Sequence, residues 1–235
     1  MNFFYVVDSV AILFSLIIVG YLSLVYGILD EAAARKLSRF LLYVTLPALL
    51  VASMQMPLDM ALVAGVEEIM LLSIGYYALA FLAAWLVPKI LKSPPAERGV
   101  FQFTLVFSNV AFMGFPIIES LLGDEALFYA AVFNLPFSIL IFSVGVLMMS
   151  EGKQKAFDAK LLINPGIIAS LIGIAFFLGS VKIPSPFIEV IEILGSMTTP
   201  LAMTIVGAML ATFPARRMMQ NYRVFIVSLV RLLEF

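Results

Sequence analysis

The chain has 235 residues, 63% of them hydrophobic and 12% charged, with a net charge of −1. A soluble domain carries about a quarter of its residues as charges; the shortfall requires side chains that face lipid, and the near-neutral balance gives no case for nucleic acid or another polyanion. Without Cys or His, disulfides, thiolate or imidazole metal sites, and Ser-His-Asp or Cys-His catalysis are excluded, so no metal, cofactor or enzyme activity is expected.

The first apolar run, 10–28, is preceded only by Met1 to Asp8, with an acid where a signal peptide carries Lys or Arg. It is long enough to span rather than be cleaved. At about 1.5 Å per helical residue, ~20 apolar residues cross a ~30 Å hydrocarbon core. Further complete runs follow at 37–56, 66–88, 99–122, 125–149, 162–180 and 186–210, and an eighth begins near Val224 and stops at Phe235. Turn residues punctuate the gaps, among them Ser93-Pro94-Pro95, Gly123-Asp124, Gly152 and Pro184-Ser185-Pro186. Asp124 is placed to cap the start of helix five.

Basic residues fix an expected orientation. Arg35, Lys36, Arg39, Lys89, Lys92, Arg98, Lys153, Lys155, Lys160, Arg216, Arg217 and Arg223 all follow odd-numbered spans. The opposite side holds Lys182 together with Asp8, Asp59, Asp124, Glu189 and Glu192. By the positive-inside rule the N-terminus lies outside.

Displacing the chain by 153 residues aligns Gly20 with Gly173 and Pro47 with Pro200. Lys36 then falls on Glu189 and Arg39 on Glu192, a sign reversal expected if the second copy is inverted. Residues 1–150 would form the first five-helix repeat, and 151–235 an incomplete second repeat made of helices six, seven and the start of eight. Inverted repeats characterise secondary transporters, whose sites lie near the midplane between the copies. The expected fold is thus an all-α, ten-helix inverted-repeat (5+5) membrane protein, truncated within helix eight.

Span four carries the most informative stretch, with Ser108, Asn109, Gly114 and Pro116 near mid-depth. Pro116 lacks an N–H and clashes with the carbonyl at position 112, which predicts a break there. In lipid a break is tolerated only against protein or a cavity, and the amides of a restarting helix suit a carboxylate. The alternative is a simple kink with Asn109 bonded to a neighbouring helix. In span five, Asn134 and Ser138 share a face across Pro136 and could serve substrate or packing. Pro47 and Pro200 are candidate hinges or kinks. No ionisable residue falls at the centre of a complete span, so no proton relay is visible.

Several motifs resemble the auxin efflux carrier family, which includes plant PIN proteins and bacterial malate and malonate permeases. Arg35-Lys36-Leu37-Ser38 through Leu46-Pro47-Ala48 is similar to its second helix. Asn109 to Pro116 with Gly123-Asp124-Glu125 is similar to its fourth helix and following turn. Asn164-Pro165-Gly166 and Pro200-Leu201-Ala202 through Gly207 are similar to its sixth and seventh helices. The resemblance implies a scaffold of helices one, two, six and seven, which is also the candidate homodimer surface. It implies a mobile part containing helices three to five, elevator-type motion, and small organic carboxylates bound where the broken fourth and ninth helices cross. The short gap at 150–161 lacks the long loop of the larger plant members. Competing readings are a sodium-coupled organic-anion symporter of the bile-acid carrier type and a non-transporting membrane receptor or scaffold.

Overall fold

Backbone groups in lipid must find partners within the protein, which leaves long apolar segments little choice but the helix. The computed structural model describes residues 3–57, 60–108, 110–149, 165–212 and 222–233, and all regular structure among them is helical. Val7–Val25, Glu31–Ser53, Ala64–Ile90 and Phe187–Thr212 are each long and apolar enough to cross a membrane. Pro165–Leu178 is a shorter apolar helix. Large side chains such as Ile12, Phe14, Leu71 and Leu72 point outward, as a lipid-facing surface requires.

In chain order the helices are α1 (Phe3–Val25), α2 (Glu31–Phe40), α3 (Leu46–Ser53), α4 (Met60–Ile90), α5 (Pro95–Val106), α6 (Phe115–Leu140) and α7 (Val146–Met149). They are followed by α8 (Pro165–Leu178), α9 (Phe187–Ser196), α10 (Thr198–Thr212) and α11 (Tyr222–Leu233). Wide π turns at Leu41–Thr45, Val110–Gly114 and Ile141–Gly145 join α2 to α3, lead into α6, and join α6 to α7. The expected turn between spans four and five falls inside α6 at Gly123, whose φ of 79° and ψ of −170° interrupt the helix. That positive φ is one that glycine adopts without steric cost.

The chain forms two compact units, and both draw on separated stretches of sequence. The first comprises Met1–Val66, Asn109–Val132 and Asn164–Phe213. Its most extensive packing is α1 against α10. Lipid tails are as apolar as Leu, so helices associate in a membrane through close packing rather than hydrophobic exclusion. Small residues supply that closeness here. A Cβ on Gly20 would collide with the Thr204 carbonyl oxygen, and one on Gly207 with that of Ile17. The same unit packs α3 on α8 and α9, with Gly173 against Met54 and Gly195 against Leu49. At the start of α2, Asp30 accepts a hydrogen bond from the Ala33 N–H at 2.6 Å and so caps the helix.

The second unit comprises Glu67–Ser108, Phe133–Ile163 and Pro214–Phe235. Its interior is aromatic: Tyr76 lies 5.1 Å from Tyr77 and 5.7 Å from Phe133, and Tyr77 lies 6.2 Å from Phe137, between ring centroids. Edge and tilted contacts of this kind add attraction beyond the area they bury.

The α1–α10 crossing gives a direct test. Gly20→Val or Gly207→Val should abolish a monodisperse peak in detergent gel filtration, because backbone lies where the side chain would go. Gly75→Ala, with open space around its Cβ, should leave that peak intact and stabilise by up to about 1 kcal/mol through helix propensity.

Candidate functional site

The fourth span begins regularly. Pro95 opens α5, where a missing N–H is harmless, and Glu97 lies in its first turn. The helix stops at Val106, and Phe107 turns extended, with φ −109° and ψ 115°. Its N–H still reaches the Phe103 carbonyl at 2.9 Å. Neither Gly nor Pro marks this point; ring packing holds it. The Phe107 ring sits 5.0 Å from Phe103, 5.7 Å from Phe137 and 6.3 Å from Phe81, and the residue is 6% exposed. Leu105 and Val106 are fully buried beside it. Between Ser108 and Asn109 the chain passes from the second unit to the first.

Helical structure resumes at Val110 as the π turn Val110–Gly114 and continues into α6. The break therefore lies at Phe107 and Ser108, not at Pro116 as the sequence led us to expect. Pro116 is the second residue of α6 and is buried. In a first turn, proline's missing donor and fixed φ favour a helix rather than end one. The wide turn ahead of it gives the ring room. Gly114 closes that turn and is half-buried, as is Ser108; Asn109 lies outside the described residues.

The other prolines follow the same local logic. Pro47 is the second residue of α3, immediately after the π turn Leu41–Thr45, in which the Leu46 N–H bonds the Leu41 carbonyl. Pro200 is the third residue of α10, after α9 has ended at Ser196 and Met197. Pro136 differs in lying inside α6. One turn upstream of it, the Phe133 carbonyl accepts from the buried Ser73 hydroxyl at 2.8 Å, which stitches α4 to α6 where proline weakens the ladder. Asn134 is half-buried on α6 and has polar contacts of its own; the side chain of Ser138 lies outside the described residues. Pro136 also lines an apolar groove of about 390 Å³ with Tyr77, Phe81 and Ile139. A groove of that character suits an acyl chain better than an anion.

Two polar features were not anticipated from the sequence. In the second unit, Arg231 of α11 donates from Nη1 to the Tyr76 hydroxyl at 2.7 Å and to the Leu105 carbonyl at 3.0 Å. The signal in the sequence is an arginine inside the apolar run that begins near Val224. In the first unit, the Thr199 hydroxyl donates to Glu119 Oε2 at 2.6 Å, joining the first part of α6 to α10. Thr198, fully buried, precedes it.

A family described as membrane transport protein matches residues 5–159 and 154–234. The chain belongs to this auxin efflux carrier-like family. An uncharacterized transporter of Methanocaldococcus jannaschii is 25% identical over 213 residues, covering 87% of this chain and 68% of that protein. An uncharacterized transporter of Methanothermobacter thermautotrophicus is 23% identical over 174 residues, covering 72% of this chain and 56% of that protein. The chain thus spans about two thirds of the first relative and little more than half of the second. As an auxin efflux carrier-like protein with helices of membrane-crossing length, it is a multi-pass membrane transport protein.

The Glu119–Thr199 tie is measurable by a double-mutant cycle of Glu119→Gln and Thr199→Val, followed by thermal unfolding in detergent. Interhelical hydrogen bonds in membrane proteins couple by about 0.6 kcal/mol, with ~1.7 kcal/mol as an upper range. A coupling in that window is expected, and additive effects would show that the bond carries no stability.

Proposed function

We propose that the protein is a secondary transporter for small organic carboxylate anions, working as an efflux carrier or uniporter by alternating access. The observation that carries this reading is the interruption of the fourth span at Phe107 and Ser108, within a chain of a membrane transport family. Helix interrupted at membrane depth is tolerated where it packs on protein or lines a cavity, and the amides of a restarting helix are suited to a carboxylate. Substrate contacts are assigned to Asn109, Ser108, Gly114 and Pro116, with Asn134 and Ser138 on the fifth span. Pro47 and Pro200, in the first turns of α3 and α10, are assigned to hinges or kinks where those helices follow the segments before them.

An elevator mechanism needs two bodies that each hold together. The division into two compact units supports it, one of them containing spans one, two, six and seven together with 109–132. The five-plus-five inverted repeat has support in how small residues are used. With an offset of 153, helix one corresponds to six and two to seven. Gly20 on α1 faces Thr204 on α10, while its counterpart Gly173 on α8 faces Met54 on α3. The packing of one copy on the other is thus exchanged as an internal two-fold would exchange it. In a cell membrane with the N-terminus outside, an interior-negative potential of 100 mV favours export of a monoanion by about 2.3 kcal/mol. No coupling ion is needed for export on those terms.

Purified protein in liposomes loaded with labelled malate provides the test. Efflux should exceed that of empty liposomes, accelerate under an interior-negative potassium diffusion potential, and be indifferent to sodium. Asn109→Ala should lower the rate at least tenfold. Strict dependence on sodium would establish a symporter instead, binding without flux a receptor, and an unchanged Asn109→Ala rate would remove the site assignment.

A further inference from the structure

Within the first compact unit, α1 ends at Val25, α2 begins at Glu31 and α10 ends at Thr212, and α10 packs against both of the others. A cavity of about 220 Å³ opens where these ends converge. A helix that has crossed the hydrocarbon ends near the headgroups, which sets the depth of the cavity. Leu24, Ala34, Ala208 and Met209 give it an apolar wall, and Glu31, Arg35 and Ser38 of α2 give it a polar one. A free anion has no use for the first wall, and an acyl chain has none for the second. A phospholipid headgroup with the start of its chain uses both.

The polar wall is one face of a helix, since positions 31, 34, 35 and 38 recur at the spacing of neighbouring turns. Arg39 stands one turn beyond Arg35 on that face and is exposed, while the exposed Lys36 lies to one side of it. The Ser38 hydroxyl donates to the Ala34 carbonyl at 2.9 Å, and the Thr212 hydroxyl donates to the Met209 carbonyl at 2.7 Å. Both therefore offer a ligand an acceptor rather than a proton. The C-terminal ends of α1 and α10 carry partial negative charge, so a preference for anions has to come from Arg35. Its Nη1 meets Glu31 Oε2 at 3.2 Å, with both side chains more than half exposed. An ion pair so exposed is weak. A phosphate, in contrast, can take two parallel N–H···O bonds from the planar guanidinium. Basic pockets between helices at the membrane surface are suited to anionic headgroups.

We propose that this cavity binds an anionic phospholipid, its phosphate on Arg35 and the first carbons of a chain against Leu24 and Met209. Glu31 is the competitor that the phosphate displaces from the guanidinium. The face belongs to the candidate homodimer surface, but a second copy meeting it by two-fold symmetry would set Arg35, Lys36 and Arg39 against their own likeness. A phosphate brings the opposite charge. The inference is independent of the substrate site on the fourth span.

Native mass spectrometry of the purified protein, titrated with phosphatidylglycerol or with phosphatidylcholine of the same chains, reads bound lipid and oligomeric state together. Wild type should bind phosphatidylglycerol at least tenfold more tightly, and millimolar inorganic phosphate should not displace it. Arg35→Gln should weaken phosphatidylglycerol at least fivefold, Glu31→Gln should tighten it two- to fivefold, and Lys36→Gln should stay within twofold of wild type. Thr212→Trp, which fills the cavity from an exposed position, should weaken it at least fivefold. Equal affinity for the two lipids, or a loss in Lys36→Gln as large as in Arg35→Gln, would reduce the effect to general surface charge and overturn the site. Unchanged binding in Thr212→Trp, or no tightening in Glu31→Gln, would overturn it as well, and these two variants decide the matter if Arg35→Gln does not fold. Displacement by inorganic phosphate would make the ligand a free anion. A lipid-independent dimer abolished by Thr212→Trp would give the cavity to a second copy. Either result would overturn the proposal.

Discussion

Hydrocarbon offers no hydrogen bonds, so each backbone group that leaves a helix at membrane depth must be met by protein or by enclosed water. Much of this architecture answers to that constraint. Where α5 ends, its Leu105 carbonyl meets a guanidinium from α11, and the first extended residue is seated in a nest of aromatic rings. Where Pro136 weakens α6, a serine from α4 takes up a carbonyl. Just ahead of α3 and α6, a π turn keeps the backbone bonded while widening the helix. At each of these places among the described residues, a partner accompanies the irregular backbone.

Prolines are the visible part of this scheme and are easily misread. Pro47, Pro116 and Pro200 each stand within the first three residues of a helix, with the irregular backbone just before them. Their chemistry is that of helix initiation, not of rupture. At these three positions the proline marks an interruption within several residues on its N-terminal side, whereas Pro88 and Pro136 lie inside α4 and α6. That displacement moves the centre of the fourth span's interruption from Pro116 to Phe107 and Ser108.

The membrane class and the family were legible because they depend on composition and on the order of loosely spaced motifs. The approximate ends of the spans were legible for the same reason, as was the glycine turn at 123. Partners distant in sequence were not. Val106-Phe107-Ser108 contains no helix breaker, and what stabilises an extended Phe107 comes from Phe81 and Phe137, twenty-six and thirty residues away. Around Glu119 nothing local reveals Thr199, eighty residues further on. Arg231 was visible as a charge in an apolar run, but only the fold places it against the end of α5.

An interruption that serves transport must be reachable from water, and the absence of native cysteine makes that accessible to experiment. Single cysteines at Ser108 and, as a lipid-facing control, at Leu71 would be treated with a membrane-impermeant thiol reagent in liposomes. Modification at position 108, slowed by malate, with position 71 inert, is the result expected of a substrate-lined break. A cysteine at 108 as unreactive as the one at 71 would mean the interruption is sealed in apolar packing, and the account of the site would fail.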